Sequence, residues 1–74
     1  MSAPERFTNY ARTNCVEVVR HTYDCFEVVA FDLFGRELGH RMFAYGKHRR
    51  RFAIEQAESY AERFGLYFSG TIHN

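Results

Sequence analysis

The sequence has no tryptophan, one proline and only two cysteines, Cys15 and Cys25, among its 74 residues. The two thiols lack the close CxxC spacing of a zinc or redox site, and one bridge would be a sparse framework for a secreted mini-protein. The four histidines stand far apart, with no metal-ligand spacing that joins them to the cysteines. We therefore expect reduced thiols, no metal and no cofactor.

Motifs of enzyme chemistry are also missing. No P-loop, nucleophile-elbow or HExxH pattern occurs in the chain. Acidic residues such as Asp24 and Glu27 lie near predicted strands, but nothing marks two of them as a catalytic pair. Because so short a chain can scarcely build both a core and a water-excluding cleft, we predict that the protein is not an enzyme.

Long apolar runs and a strong excess of charge are absent as well. No run approaches the roughly 20 residues that span a bilayer, and no signal-peptide core follows Met1. We therefore expect a cytoplasmic protein without a membrane partner. The formal net charge is only +1, whereas proteins that bind nucleic acid through many phosphate contacts usually carry a larger basic excess. This makes a nucleic-acid partner less expected without excluding it.

Aromatic residues are what the chain has in plenty. Eight phenylalanines and five tyrosines make up 18% of the residues, and each buried ring removes a large apolar area from water. A few such rings can hold a small core together without disulfides or metal. We predict a single domain that spans residues 1–74.

The hydrophobic pattern predicts the elements of this domain. Alternating and β-branched residues indicate strands at 15–20 and 25–33, and the hairpin turn after the second leads into a third strand at about 37–45. Ala53, Ala57 and Tyr60 recur at helical spacing within a helix predicted at 49–64, which Gly65 ends as a C′ glycine. Residues 66–72 alternate again and predict a returning strand. The predicted fold class is α+β: a three-stranded antiparallel meander, one amphipathic helix packed on it and a returning C-terminal strand (β-β-β-α-β).

The first 14 residues allow two interpretations. Ser2 and Glu5 fit a capping box, with Pro4 in the first turn, and Phe7 and Tyr10 follow at helical spacing. This pattern predicts a short N-terminal helix over part of residues 1–14. The alternative is an extended lead-in to the first strand, because the intervening polar residues are weak helix formers.

The turn of the central hairpin predicts the register of its two strands. Taking Gly35 and Arg36 as a two-residue type II′ loop places Leu33 opposite Leu38, and the same register sets residue 29 against residue 42. Both faces of the sheet are then largely apolar, although one helix can cover only one of them. The other face would collect four aromatic residues: Phe26, Phe34, Phe43 and Tyr45.

The basic run at the predicted helix start is the sharpest local signal. It consists of Lys47, His48, Arg49, Arg50 and Arg51. The helix dipole is positive at this end, where acidic residues are expected, so the run is costly unless an anion shares the site. The functional interpretation is a phosphate backbone or an acidic protein patch. The alternative is a solvated loop screened by salt.

The aromatic face is the second candidate surface, with Arg41 among its side chains. Exposed aromatics beside basic residues could stack nucleobases or form a protein interface. We favour the protein interface, because Asp32 and Glu37 would share this face and repel phosphate. The structural alternative is that Phe7 and Tyr10 cover the face and complete a second small core.

The layout of the chain from Val16 to Ile72 resembles that of small phage-encoded inhibitor proteins, of which anti-CRISPR proteins and other host-takeover factors are the best-known group. Neither the basic segment that follows Gly46 nor any other segment is a diagnostic motif, so no family site residues are carried over. The resemblance implies a mode of action, in which the protein occupies a surface of a larger host machine and blocks its substrate or partner.

The leading hypothesis is therefore a protein-binding inhibitor or regulator, whose partner is a host protein or protein complex. The first alternative is a small DNA- or RNA-binding module that uses the same basic run and aromatic face. The second is a structural homodimer with the aromatic face buried against itself.

Overall fold

A computed structural model describes residues 12–73 of the chain. Its elements are β1 (Cys15–Thr22), β2 (Cys25–Phe31), β3 (Glu37–Tyr45), α1 (Arg49–Phe64) and β4 (Ile72–His73). The predicted α+β fold class is confirmed, as are the bounds predicted for β3 and α1. Residues 12–14 lead into β1 without helix, and the rest of the predicted N-terminal element lies outside the described residues.

The four strands form one mixed sheet in the order β3-β2-β1-β4. The first three pair antiparallel, and β4 pairs parallel to β1 through Val18 with Ile72 and Val19 with His73. Tyr67 adds an isolated parallel bridge to Cys15. The helix thus carries the chain from one edge of the sheet to the other, and the returning segment meets β1 at two separate places.

The predicted register of β2 and β3 is wrong by three residues beside the loop, where Leu38 lies opposite Ala30 and not Leu33, and by one residue beyond the bulge. Met42 lies opposite Val28 and not Val29, and Ala44 lies opposite Phe26. Because side chains alternate between faces, a slip by an odd number of residues moves every side chain of β3 to the other face relative to β2. Phe26 therefore does not share a face with Phe43 and Tyr45.

The cause of the slip is the loop, which has five residues, 32–36, where two were predicted. Asp32 organises it: its Oδ1 accepts the backbone N–H of Phe34 at 2.8 Å and that of Arg36 at 2.9 Å. Its main-chain oxygen accepts the N–H of Gly35 at 3.0 Å, and Gly35 has a φ of 81°, which glycine adopts without strain. Asp32 is thus a loop residue and not part of an aromatic sheet face.

We expect the stability of the domain to depend on the charge of Asp32. Hydrogen bonds from the backbone of Arg36 and Phe34, together with the Arg36 guanidinium, lower the pKa of this carboxyl. A folded pKa below the unfolded value means that the stabilisation is present above the unfolded value and is lost as pH falls through the folded one. Asp32→Asn should therefore lower the Tm by several degrees at about pH 7, and the difference from wild type should shrink at about pH 3.

Thermal unfolding followed by circular dichroism at the two pH values measures this effect. Asp24→Asn is the matched control, because it removes an equal charge from a turn carboxylate that accepts only the Thr22 hydroxyl in the described structure. A difference between Asp32→Asn and wild type that is as large at about pH 3 as at about pH 7 would contradict the assignment.

A bulge in β3 changes the pairing register of β2 and β3 in the half of the hairpin that lies away from the loop. Between the pairs Ala30–Leu38 and Val28–Met42 the edge strand has two more residues than β2, and Gly39 within it has a φ of 61°. The bulged main-chain oxygen of His40 accepts the hydroxyl of Tyr60 on α1 at 3.0 Å. An even number of extra residues keeps Leu38 and Met42 on the same face, and the bulge interrupts the exposed edge.

The core lies between α1 and one face of the sheet. The buried sheet residues there are Val16, Val18, Phe26, Val28, Ala30 and Ala44, and Ala53 and Ala57 of the helix are fully buried against them. The predicted helical stripe is thus confirmed at its alanines, whose small side chains let the helix approach the sheet. Gly65 ends the helix in the left-handed conformation, as predicted.

The opposite face of the sheet is the one that α1 does not cover, and we call it the open face. Its residues on β2 are nevertheless buried. Val29 and Phe31 are buried there although α1 lies on the other side. Arg12 lies over the Phe31 ring at 6.0 Å, and Glu27 is held by Arg41, Nη1 to Oε2 at 2.6 Å. Both faces of the sheet therefore bury apolar residues of β2, as predicted, but the residues on each face differ from those predicted.

Candidate interaction surface

The first turn of α1 lacks the usual groups that satisfy a helix start. His48 is the N-cap residue and makes no side-chain capping hydrogen bond, and the first turn holds no acidic residue. The N–H of Phe52 is bonded to the oxygen of His48 at 3.0 Å, and that of Arg49 to Gly46 at 3.2 Å. The positive end of the helix dipole therefore coincides with the basic run, as the sequence predicted.

Arg49 is the one cation of the run that turns inward. Its Nη1 donates to the main-chain oxygen of Gly46 at 2.9 Å, and its guanidinium lies over the Phe26 ring, 5.8 Å from the centroid. Its Nε is buried with no hydrogen-bond partner among the described residues. Arg49 thus fixes the turn between β3 and α1 and is not an exposed binding group.

Phe26 was predicted to be a surface contact, and this is wrong. It lies on the sheet face that α1 covers and is 4% exposed. The guanidinium of Arg20 lies 5.4 Å from the ring centroid, and that of Arg49 also lies over the ring. Two cations over the π-face of a buried ring make Phe26 a part of the core and of the helix anchor.

A cation, an imidazole and an aromatic ring are joined on the exposed side of the helix start. Nη2 of Arg51 lies 3.2 Å from Nδ1 of His48. A guanidinium can only donate, so Nδ1 accepts in this geometry. The His48 ring meets that of Phe52 edge-on, with centroids 6.5 Å apart. Phe52 is 51% exposed, so the three side chains present an apolar ring beside a positive charge.

The lysine and arginines of the basic run have no carboxylate counter-ion in the described part of the chain. No carboxylate there lies within ion-pair distance of Lys47, Arg49, Arg50 or Arg51. Tyr45 lies two residues before Lys47 and pairs with Cys25, which follows the β1–β2 turn, and Tyr23 in that turn is 87% exposed. We call this surface the basic–aromatic end: Tyr23, Tyr45, Lys47, His48, Arg50, Arg51 and Phe52.

Arg41, another predicted contact, is occupied within the domain. Besides Glu27, it binds Glu37 through two hydrogen bonds, which lower the pKa of Glu37. Phe43 lies beside it on the open face, half exposed, against the ring of His21 at 5.1 Å. Arg41, Glu27 and Glu37 thus form an ion-pair network on the open face, and Arg41 is not a free cation.

Phe34 lies apart from the basic–aromatic end. It is in the loop of residues 32–36, at the opposite end of the strands, with the Arg36 guanidinium over its ring at 5.3 Å. With Phe26 buried and Phe34 distant, the four predicted aromatics form no common surface. A homodimer built on that surface therefore loses its basis.

Two exposed aromatics of this surface were missed at the sequence level. Tyr23 falls between the first two predicted strands and Phe52 within the predicted helix, and neither was given a role. Phe52 stands outside the stripe of Ala53, Ala57 and Tyr60, and an aromatic residue outside the apolar stripe of a helix is the signal that could have found it. Nothing comparable marks Tyr23.

A second concave surface lies between the last turns of α1 and the segment that follows. It is a cleft of about 500 Å³, which we call the acidic cleft, lined by Glu58, Ala61, Glu62, Leu66, Tyr67, Phe68 and Gly70. Its floor is apolar, and two carboxylates lie at its helical side. Tyr67 is 68% exposed.

A smaller cleft of about 210 Å³ brings Cys15, Glu17 and His73 together. Burial raises the pKa of the Cys15 thiol, and the Glu17 carboxylate raises it further, against the opposing effect of Arg12. Since the thiolate is the nucleophile, this environment disfavours nucleophilic chemistry.

Within residues 12–73 no group of three or more histidine, cysteine or carboxylate side chains is arranged to hold a metal ion. No helix in the described part of the chain is long and apolar enough to cross a membrane.

Comparisons of the chain with protein-family models, with curated proteins and with solved structures found no match. The function therefore has to be argued from the residues of this chain.

Proposed function

We propose that this protein is a non-enzymatic binding protein that occupies an acidic surface of a larger protein through its basic–aromatic end. The observation that carries the proposal is the group of cations at the helix start without carboxylate partners in residues 12–73. An acidic partner would supply the missing counter-ions and would favour the helix dipole at the same time.

The side chains around these cations suit a protein partner. Tyrosine, phenylalanine and arginine are the residues enriched at protein interfaces, because their rings bury a large area while their polar groups fix the orientation. Tyr23, Tyr45 and Phe52 supply exposed rings, and Lys47 and Arg50 supply charge. Arg49 is excluded from this set, because it is engaged with Gly46 and Phe26.

The proposed role is that of an inhibitor or regulator in the cytoplasm. Its mode of action is the one implied by the resemblance to phage-encoded inhibitors: a small rigid domain covers a surface that a nucleic-acid-handling complex needs for its substrate or partner. The partner is then a host protein or protein complex.

An affinity experiment tests the proposal. Immobilised wild type and a Lys47→Glu/Arg50→Glu variant are exposed to a nuclease-treated lysate of the native host, and the captured proteins are quantified by mass spectrometry. We expect at least about tenfold less of the specific partner on the variant, because about 1.4 kcal/mol of lost attraction changes the affinity tenfold.

The matched control for this experiment is Arg63→Glu. It reverses an exposed charge in the last turn of the same helix, outside the basic–aromatic end, and should capture the partner as wild type does. Equal capture of the same proteins by wild type, control and the double variant would show that this surface is not used.

A nucleic-acid-binding module is the second candidate, and one observation favours it. The two carboxylates that were expected to repel phosphate are placed differently: Asp32 lies in a loop at the far end of the strands, and Glu37 is paired with Arg41. Fluorescence anisotropy with labelled single- and double-stranded oligonucleotides distinguishes the candidates. Direct binding should weaken with salt along a log–log slope of about −0.9 per phosphate contact on duplex DNA, and no binding at about 50 mM salt removes this candidate.

A further inference from the structure

Near both ends of α1, most charged side chains have the sign that the helix dipole disfavours at that end. Its first turn is basic with no acidic residue, although the dipole is positive there. Glu58 and Glu62 lie in its last two turns, where the dipole is negative, and only Arg63 follows the usual preference. The basic start of the helix therefore attracts an anionic group, and the acidic side chains near its end attract a cationic group.

The acidic cleft has the shape and chemistry to take such a group. Ala61, Leu66 and Phe68 form an apolar floor, and Glu58 and Glu62 line its helical side. A ligand that fits both parts must join a positive charge to an apolar side chain, since a bare cation would leave the floor exposed to water.

The basic–aromatic end is a ligand of this kind. Arg51, His48 and Phe52 are joined in one exposed cluster, and Arg50 lies next to them without a carboxylate partner in the described residues. The ring of Phe52 could enter the apolar floor while the guanidinium groups face Glu58 and Glu62. Charge and apolar character are thus complementary between two surfaces of one chain.

We propose that the acidic cleft of one copy binds the basic–aromatic end of a second copy, so that the protein associates head to tail. Such a contact is heterologous, and the resulting dimer retains one free surface of each kind, so association continues beyond the dimer unless the geometry closes a ring. The proposed protein partner uses only the basic–aromatic end and would compete with this association, whereas the cleft takes part in self-association alone.

Analytical ultracentrifugation against concentration tests the proposal. At low salt and about 1 mM protein we expect the weight-average mass to rise to roughly twice that of the monomer or more, as for a contact with a Kd near that concentration. At about 1 M salt, where the Debye length is about 3 Å, it should return toward the monomer mass of 8.8 kDa.

Two variants identify the surfaces. Glu58→Gln/Glu62→Gln removes the charge of the cleft, and Arg50→Gln/Arg51→Gln removes that of the basic–aromatic end; all four positions are exposed, so the fold should persist by circular dichroism. Each variant alone should stay monomeric. An equimolar mixture should form a 1:1 dimer and nothing larger, because it contains one intact surface of each kind in complementary partners.

Glu55→Gln is the matched control, since Glu55 is an exposed carboxylate of the same helix outside the cleft, and it should associate as wild type does. A wild type that is monomeric at about 1 mM and low salt overturns the proposal. So does a Glu58→Gln/Glu62→Gln variant that associates normally, or a mixture that forms no dimer. If Glu58→Gln/Glu62→Gln is monomeric but still captures the protein partner that wild type captures, self-association and partner binding are separate. The two proposals then stand or fall independently.

Discussion

Replacing Phe26 by alanine is expected to remove much of the stability of the domain. Its ring is almost fully buried in the core, and truncating a buried phenylalanine typically costs about 3–5 kcal/mol. A domain of 74 residues has a total stability of about 4–11 kcal/mol by the usual value per residue. The variant should therefore lose at least about a quarter of its stability, a loss that urea unfolding followed by circular dichroism measures.

Phe34→Ala is the matched control for Phe26→Ala. Phe34 is 76% exposed, and its N–H bond to Asp32 is a backbone contact that alanine retains, so its effect should stay within about 0.5 kcal/mol. Phe26→Leu keeps an apolar side chain in place but not the π-face, and it should cost less than alanine while remaining folded enough to measure. Similar small losses for Phe26→Ala and Phe34→Ala would show that Phe26 is a surface residue after all.

The contrast between these two residues shows how far the sequence could predict the fold. The helix was predicted at its observed bounds because a long periodic stripe ended by glycine is a strong local signal. The third strand was placed by the hairpin turn that precedes it. The register of the hairpin was not predictable from Gly35 alone. Whether Asp32 starts a five-residue loop depends on hydrogen bonds that its carboxylate makes at positions 34 and 36, and a slip by an odd number of residues exchanges the faces.

The candidate surface was predictable in part for a similar reason. A basic run at a helix start is visible in the sequence, and the structure places it there without acidic residues in the first turn. Which of its cations are available is a tertiary property: Arg49 turns inward because Phe26 and the Gly46 oxygen lie beside it. Arg41 likewise looked like a free cation until the register placed it beside Glu27.

Removing Arg41 is the second change expected to have a large effect on stability. The Glu27 carboxylate lies buried on the open face, with Arg41 Nη1 2.6 Å from its Oε2 and His21 Nδ1 3.8 Å from its Oε1. Arg41→Met takes away the closest counter-ion and leaves the carboxylate in a poorly hydrated site, which is the costly way to break a buried pair. We expect a Tm several degrees below that of wild type, measured by thermal unfolding at neutral pH.

Removing the charge of Glu27 as well should rescue the Arg41→Met variant. Glu27→Met/Arg41→Met removes both charges, and replacing a buried pair by apolar side chains is often close to neutral. The double variant should therefore be more stable than Arg41→Met alone. Arg36→Met is the control, because Arg36 also pairs with a carboxylate, but that carboxylate, Asp32, keeps its two backbone donors.

The same variants decide between a structural and a binding role for Arg41, which was predicted to contact a partner. If the ion pair holds the open face together, stability losses in the double variant are not the sum of those in the single variants, since the two side chains share one interaction. If Arg41→Met instead unfolds like wild type but captures about tenfold less partner, Arg41 is a contact residue. In that case the ion pair with Glu27 contributes little to the fold, and the binding surface extends from the basic–aromatic end onto the open face.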